Sequence, residues 1–133
     1  MDGKKIILII SGSISAVKAP DLIRKLSQNG ARVIPVLTQS GAQFVTPLSI
    51  AALACSKVYT ELFDLTDESE MGHIELSRSA DLILVVPATA NLMAKMAHGV
   101  ADDLASTLLL ATDTPVMVAP SMNVRMLSLI HIS

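Results

Sequence analysis

Two runs of five apolar residues, IILII at positions 6–10 and LILVV at positions 82–86, constrain this chain more than any other feature. A strand with one wet face alternates apolar and polar side chains, because successive side chains point to opposite sides of the sheet. Neither run alternates. Each is expected as a strand covered on both faces, the condition of a parallel sheet held between helices. Further short runs, RVIPVL at 32–37, the pair Val58 and Tyr59, and VMVA at 116–119, are separated by segments with helical spacing. Strand and helix alternate along the chain, which predicts βαβ units. The expected class is α/β, a Rossmann-like or flavodoxin-like open parallel sheet with helices on both faces.

The helices carry their own start and stop signals. The first has Pro20 in its opening turn, turns Leu22, Ile23 and Leu26 inward, and ends at the C-cap pair Asn29-Gly30. Thr46 followed by Pro47 predicts an N-cap and first helical residue, with the helix running to Ala54. Asn91 is placed to cap a third helix, and Asp102 opens another with Leu104, Leu108 and Ala111 on one side. The polar stretch 64–72 predicts a loop, and His73 follows it directly. With 133 residues and no repeat, low-complexity tract or linker, one domain is expected.

Composition excludes several classes of function. Hydrophobic residues make up 51% of the chain and aromatics only 2%, so the core is expected from Ala, Val, Ile, Leu and Met. A mean hydropathy of +0.56 is incompatible with a disordered acidic or basic tail. The net charge of −2 provides no basic face for nucleic acid. The lone cysteine, Cys55, excludes an internal disulfide and any Cys-based zinc site; its Ala/Leu-rich setting predicts a small buried hydrophobe. The apolar run near the N-terminus is short for a secretion signal, and no stretch approaches the ~20 apolar residues of a membrane span. A cytoplasmic protein acting on a small molecule is the expectation, with no nucleic-acid or membrane partner and no metal.

In an open parallel sheet the ligand lies outside the carboxyl ends of the strands. Four such ends carry small or hydroxylated residues: 11–15, 38–41, 87–91 and 120–123. Small residues let a ligand approach the backbone, and hydroxyls with the N–H groups of a following helix suit a phosphate, the helix dipole adding roughly 0.3–1 kcal/mol. Gly12 stands alone where a dinucleotide fingerprint needs three glycines, and no acidic residue closes the second strand to hold a ribose. No ATP-binding P-loop is present either. A mononucleotide such as FMN suits the single-glycine loop better than NAD or FAD.

The order GSISAVKAPDLIRKL, VLTQSGAQFVTP, GHIELSRSADLILVVPATANLMAKMAHGVADDLASTLLLA and APSMNVRM closely resembles the homo-oligomeric flavin-containing cysteine decarboxylases across residues 4–126. The most specific parts are P-A-T-A-N at 87–91 and P-x-M-N-x-x-M at 120–126. The resemblance implies bound FMN, lined by Gly12, Ser13 and Ile14, with Thr38 and Ser40 hydrogen-bonding the phosphate or ribityl chain and Phe44 packing nearby. Thr89, Ala90 and Asn91 would form a second wall, with Ser106 and Thr107 adding a contact. His73, within G-H-I-x-L, matches the family's active-site histidine. Asn123, flanked by Met122 and Met126, matches the motif that holds the substrate carboxylate.

The implied substrate is phosphopantothenoylcysteine. Its cysteinyl side chain is oxidised to a thioaldehyde, carbon dioxide leaves, and hydride returns to the ene-thiol to give phosphopantetheine, a step of coenzyme A biosynthesis. The implied assembly is a homo-oligomer built from trimers. Flavin prenyltransferases share the fold, but the P-A-T-A-N and M-N pair argues against them. A catalytically silent flavoprotein that regulates a phosphatase is disfavoured by the presence of both His73 and Asn123, but the missing flap cysteine keeps it open as an alternative.

The resemblance departs at its end. Leu127 stands where the family has Trp, and residues 127–133 match nothing in it. The family's later flap cysteine has no counterpart, since Cys55 comes far too early. The expectation is a flavoprotein domain over 1–126, incomplete at its C-terminus, and a non-native tail over 127–133. Remaining candidates have bland readings: His98 beside Gly99 caps a helix end, and Met93, Met96, Met117 and Met122 are read as core filling rather than a flavin-contact box.

Overall fold

Strand β1 (Lys5–Ile10) occupies the middle of a four-stranded sheet of order β2-β1-β3-β4, with β2 at Arg32–Leu37, β3 at Leu82–Ala88 and β4 at Val116–Pro120. All three pairings are parallel. The computed structural model describes residues 3–12, 14–60, 78–88, 94, 97–99, 105, 108–109 and 112–120.

Side chains of β1 divide between two cores, as the unalternating run requires. Ile6, Leu8 and Ile10 pack with Val33, Leu37, Leu84 and Val86 beneath helix α1 (Ala19–Gln28) and helix α2 (Pro47–Ala54). Ile7 and Ile9 face the other way and join Val36, Ile83, Val85, Ala105 and Leu108. Ala105 and Leu108 are helical, so the sheet carries helix on both faces. Leu104 and Ala111, expected beside Leu108, lie outside the described residues. Each of Ile6–Ile10 has no exposed surface, and burial of such a side chain is worth roughly 1.5–3 kcal/mol.

Local signals set the element ends. Helix α1 buries Ala19, Leu22, Ile23 and Leu26, one stripe at helical spacing. It closes at Asn29, whose Nδ2 donates to the Lys25 carbonyl at 2.8 Å, and Gly30 takes φ +86° just beyond. Before α1 the chain forms a 3-10 turn over Ile14–Lys18 rather than an open loop. Pro20 sits in the first turn of α1, where an N–H would have no helical partner in any case. At α2, Thr46 Oγ1 accepts the Ser49 N–H at 3.1 Å and Pro47 opens the helix, as the sequence predicts.

Two expectations change. Val58–Tyr59 contributes only a parallel bridge, Val36 to Tyr59, outside β2. Tyr59 donates to the Pro35 carbonyl at 3.0 Å and accepts from Leu37 at 2.9 Å. Pro35 therefore turns its missing N–H toward this thinly paired edge, where a proline is tolerated. Cys55 is exposed, not buried. It terminates α2 in the left-handed region at φ 52°, and that turn of the backbone carries the side chain off the helix's buried face. Among the described residues no helix is long and apolar enough to cross a membrane.

Cysteine at a left-handed C-cap carries a strain that glycine lacks. Cys55→Gly is expected to raise stability by about 0.5–1 kcal/mol, whereas Ala52→Gly, inside the same helix, lowers it by about 1 kcal/mol. Thermal unfolding of both variants beside the parent checks the opposite signs.

Candidate functional site

The strand order creates a switch point. From β1 the chain crosses to β2 on one side, while β3 lies on the other, so the connections after β1 and β3 diverge and leave a crevice at their carboxyl ends. Ser11 and Gly12 leave β1 at this edge, the 3-10 turn Ile14–Lys18 follows them, and Thr38 to Gly41 leave β2 beside it. Ser11 is buried. The first helical turn after β1 is thus the 3-10 turn, because α1 starts only at Ala19.

Gly12 and Ser40, assigned from sequence to one site, do come together. A β-carbon on Gly12 would overlap the Ser40 Cβ and lie 2.8 Å from the Ser40 carbonyl carbon. The loops after β1 and β2 therefore touch backbone to backbone, which only glycine allows at this position. Ser40 is exposed, and Phe44, at the end of the second 3-10 turn (Gly41–Gln43), is 41% exposed.

Thr38 is held by its own surroundings. Its Oγ1 donates to the Ile10 carbonyl at 3.3 Å and accepts the Gly41 N–H at 3.1 Å. Its backbone N–H also bonds the Ile10 carbonyl, at 3.0 Å. Gly41 entered the sequence analysis only as part of the strand end 38–41, with no role of its own. It is buried, and a β-carbon there would meet the Ile10 carbonyl oxygen at 2.5 Å and the Leu37 side chain at 3.0 Å. The available signal was a glycine directly after a strand-end T-x-S.

Strand β3 ends irregularly at the same edge. Val85 pairs with Val118 but Ala88 with Pro120, so β3 holds one extra residue across Val86-Pro87. Pro87 has no N–H to give the ladder, which accounts for a bulge there, and bulges re-aim the chain beside binding sites. Ile14 is described in its backbone alone, within the 3-10 turn. Ser13, His73, Thr89, Ala90, Asn91, Ser106, Thr107, Met122, Asn123 and Met126 lie outside the described residues, as does the expected boundary at 126. His98 is exposed at a helix end, with Gly99 at φ +68° after it. No cluster of metal-ligating side chains occurs among the described residues. A cavity of about 350 Å³, lined by Ser27, Arg32, Leu53, Ala54, Cys55 and others, opens at the amino end of β2, away from the strand ends where such sheets hold ligands.

The tightness at Gly12 generates a direct expectation. Gly12→Ala should force the two loops apart and cost about 1–3 kcal/mol, as overpacking does, read as a lower denaturant midpoint with unchanged slope.

Comparison with known proteins places the chain. The Flavoprotein family model matches residues 1–129. The coenzyme A biosynthesis bifunctional protein CoaBC of Vibrio vulnificus (strain YJ016) is 52% identical over 124 residues, covering 93% of this chain and 31% of that protein. CoaBC of Escherichia coli (strain K12) is 48% identical over 124 residues, covering 93% and 30%. The chain thus spans less than a third of the length of these relatives. Among solved structures, the FMN-dependent cysteine decarboxylase SpaF superposes with a TM-score of 0.80 at 31% identity, covering 89% of this chain and 68% of that one. A PPC decarboxylase mutant complexed with pantothenoylaminoethenethiol gives 0.76 at 31% identity, covering 88% and 66%. A parallel sheet with this strand order and a single-glycine first loop, matched from residue 1 to residue 129, makes this chain a member of the Flavoprotein family.

Proposed function

We propose that this chain is the FMN-binding part of a carboxy-lyase that decarboxylates phosphopantothenoylcysteine to phosphopantetheine in coenzyme A biosynthesis. The observation that carries the reading is its 44–52% identity to CoaBC proteins over almost its whole length. The described residues fit a flavin mononucleotide. Gly12 and Ser40 bring a glycine backbone and an exposed hydroxyl together at the switch point, a donor set suited to one phosphate. The exposed ring of Phe44 supplies apolar surface close by in sequence.

When bound, FMN supplies the two-electron chemistry that allows a cysteinyl carboxylate to leave as carbon dioxide. The chain's own residues bind and orient. The loops after β1 and β2 hold the phosphate end, and Thr89, Ala90 and Asn91 contribute the second wall that the family motif P-A-T-A-N implies. The His73 imidazole takes a proton from the cysteinyl side chain, and the Asn123 amide donates hydrogen bonds to the substrate carboxylate, with Met122 and Met126 beside it. The reading includes a cytoplasmic homo-oligomer assembled from trimers.

The test uses protein expressed from its complete natural reading frame. The purified protein is expected to show a flavin absorption spectrum and to release FMN on denaturation; a colourless but folded protein would overturn the redox reading. His73→Asn should retain flavin and lower carbon dioxide release by about 10²–10⁴-fold, the usual contribution of a positioned base. Unchanged turnover would remove His73 from that role.

A further inference from the structure

We propose that Asn29-Gly30 is a site of spontaneous covalent modification, the loss of the Asn29 side-chain amide, and that the turn closing α1 governs its rate. The chain has three asparagines, and only Asn29 precedes glycine. With no β-carbon beside it, the Gly30 nitrogen is the least hindered backbone nucleophile a side-chain amide can meet. The reaction needs water alone. The Gly30 nitrogen gives up its hydrogen and bonds to the Asn29 side-chain carbonyl carbon; the bond from that carbon to Nδ2 breaks, and ammonia leaves with the proton. Water then opens the five-membered imide at either carbonyl, leaving aspartate or its isomer linked through the side chain. Asn29 is exposed, so water reaches it.

The fold withholds each requirement. Ala31 N–H bonds the Leu26 carbonyl at 3.1 Å and Gly30 N–H bonds the Ser27 carbonyl at 3.0 Å, the paired bonds of a Schellman turn. The proton that must leave Gly30 is thus engaged. Asn29 has ψ 11°, which turns the Gly30 nitrogen toward the Asn29 backbone nitrogen and away from Cβ, so the imide ring cannot close. The side-chain amide points back along the helix to the Lys25 carbonyl, at 2.8 Å. Leu26 and Ala31, buried in one core, hold the turn shut. The same glycine that suits the turn, at φ +86°, makes the dipeptide labile. Modification therefore awaits opening of the last turn, and it is irreversible. The isomer adds a carbon to the main chain ahead of Gly30, whose carbonyl also accepts the Gly3 N–H at 3.1 Å, so the joint between α1 and β2 does not re-form.

The experiment incubates protein from the complete reading frame at mildly alkaline pH, folded or in guanidinium chloride, and follows the mass of the tryptic peptide 26–32 as amide becomes acid. Unfolded protein is expected to convert at least about tenfold faster than folded protein, since a closed turn reacts only through its open fraction. Gln28→Gly leaves the dipeptide intact and weakens the last turn, so the folded variant should convert about threefold faster than the folded parent. If Gln28→Gly does not fold, Ser27→Gly weakens the same turn. Asn29→Ala should abolish the change in mass; its persistence would assign it to Gln28 and overturn the site. No change in either state of the parent would overturn the site as well. Equal rates in the folded and unfolded parent would overturn the turn's control. Protection in the parent with no acceleration in Gln28→Gly would overturn it too, because unfolding of the whole molecule would then set the rate.

Discussion

Everything in this molecule is hung on the burial of β1. Its backbone bonds β2 on one side and β3 on the other, while its side chains enter two separate apolar cores. Hydrogen bonds along a buried strand contribute little net energy, but leaving them unmade would cost about 1–3 kcal/mol each. Burial thus makes the pairing obligatory, and the pairing sets the register of both neighbours. The ends are secured in the same way: Lys5 N–H bonds the carboxylate of Asp81, just before β3, at 2.8 Å, and the N–H of Arg32, the first residue of β2, bonds the carbonyl of Lys4, just before β1, at 2.8 Å.

A consequence appears at the opposite end of the same strand. Because β2 and β3 are locked in register with β1, their carboxyl ends emerge at one level and their connections crowd together. Two glycines relieve the crowding, Gly12 against Ser40 and Gly41 against Ile10. Thr38 spans the same gap with its hydroxyl. The approach of the loops after β1 and β2 at this edge is therefore set by the register of the core strands.

Much of the fold was legible because its signals are local or periodic. The unbroken runs at 6–10 and 82–86 announced doubly covered strands, and Thr46-Pro47 and Asn29-Gly30 marked helix ends through hydrogen bonds made within a few residues. The misses share a cause. Val58 and Tyr59 have strand-forming side chains, yet they make a single bridge because what decides a strand's length is its neighbour's free edge. Cys55 has a buried-residue composition around it but sits one position past the helix end, where the backbone turns away. Of the candidate site, the family resemblance put Gly12 and Ser40 around one ligand; it did not reveal that they touch, nor the close approach of Gly41 and Thr38 to Ile10, since these depend on distances between strand ends.

The sequence by itself determined the class of fold, the chemistry available at each strand end and the family to which the chain belongs, because hydrophobic period, caps and motif residues are properties of the chain read in order. Only the tertiary structure decided which loops touch, which glycine admits which backbone, and that the Thr38 hydroxyl is turned toward the end of β1. Those are contacts between residues about thirty apart in the chain, and they arise from strand register and sheet order, which no local pattern encodes.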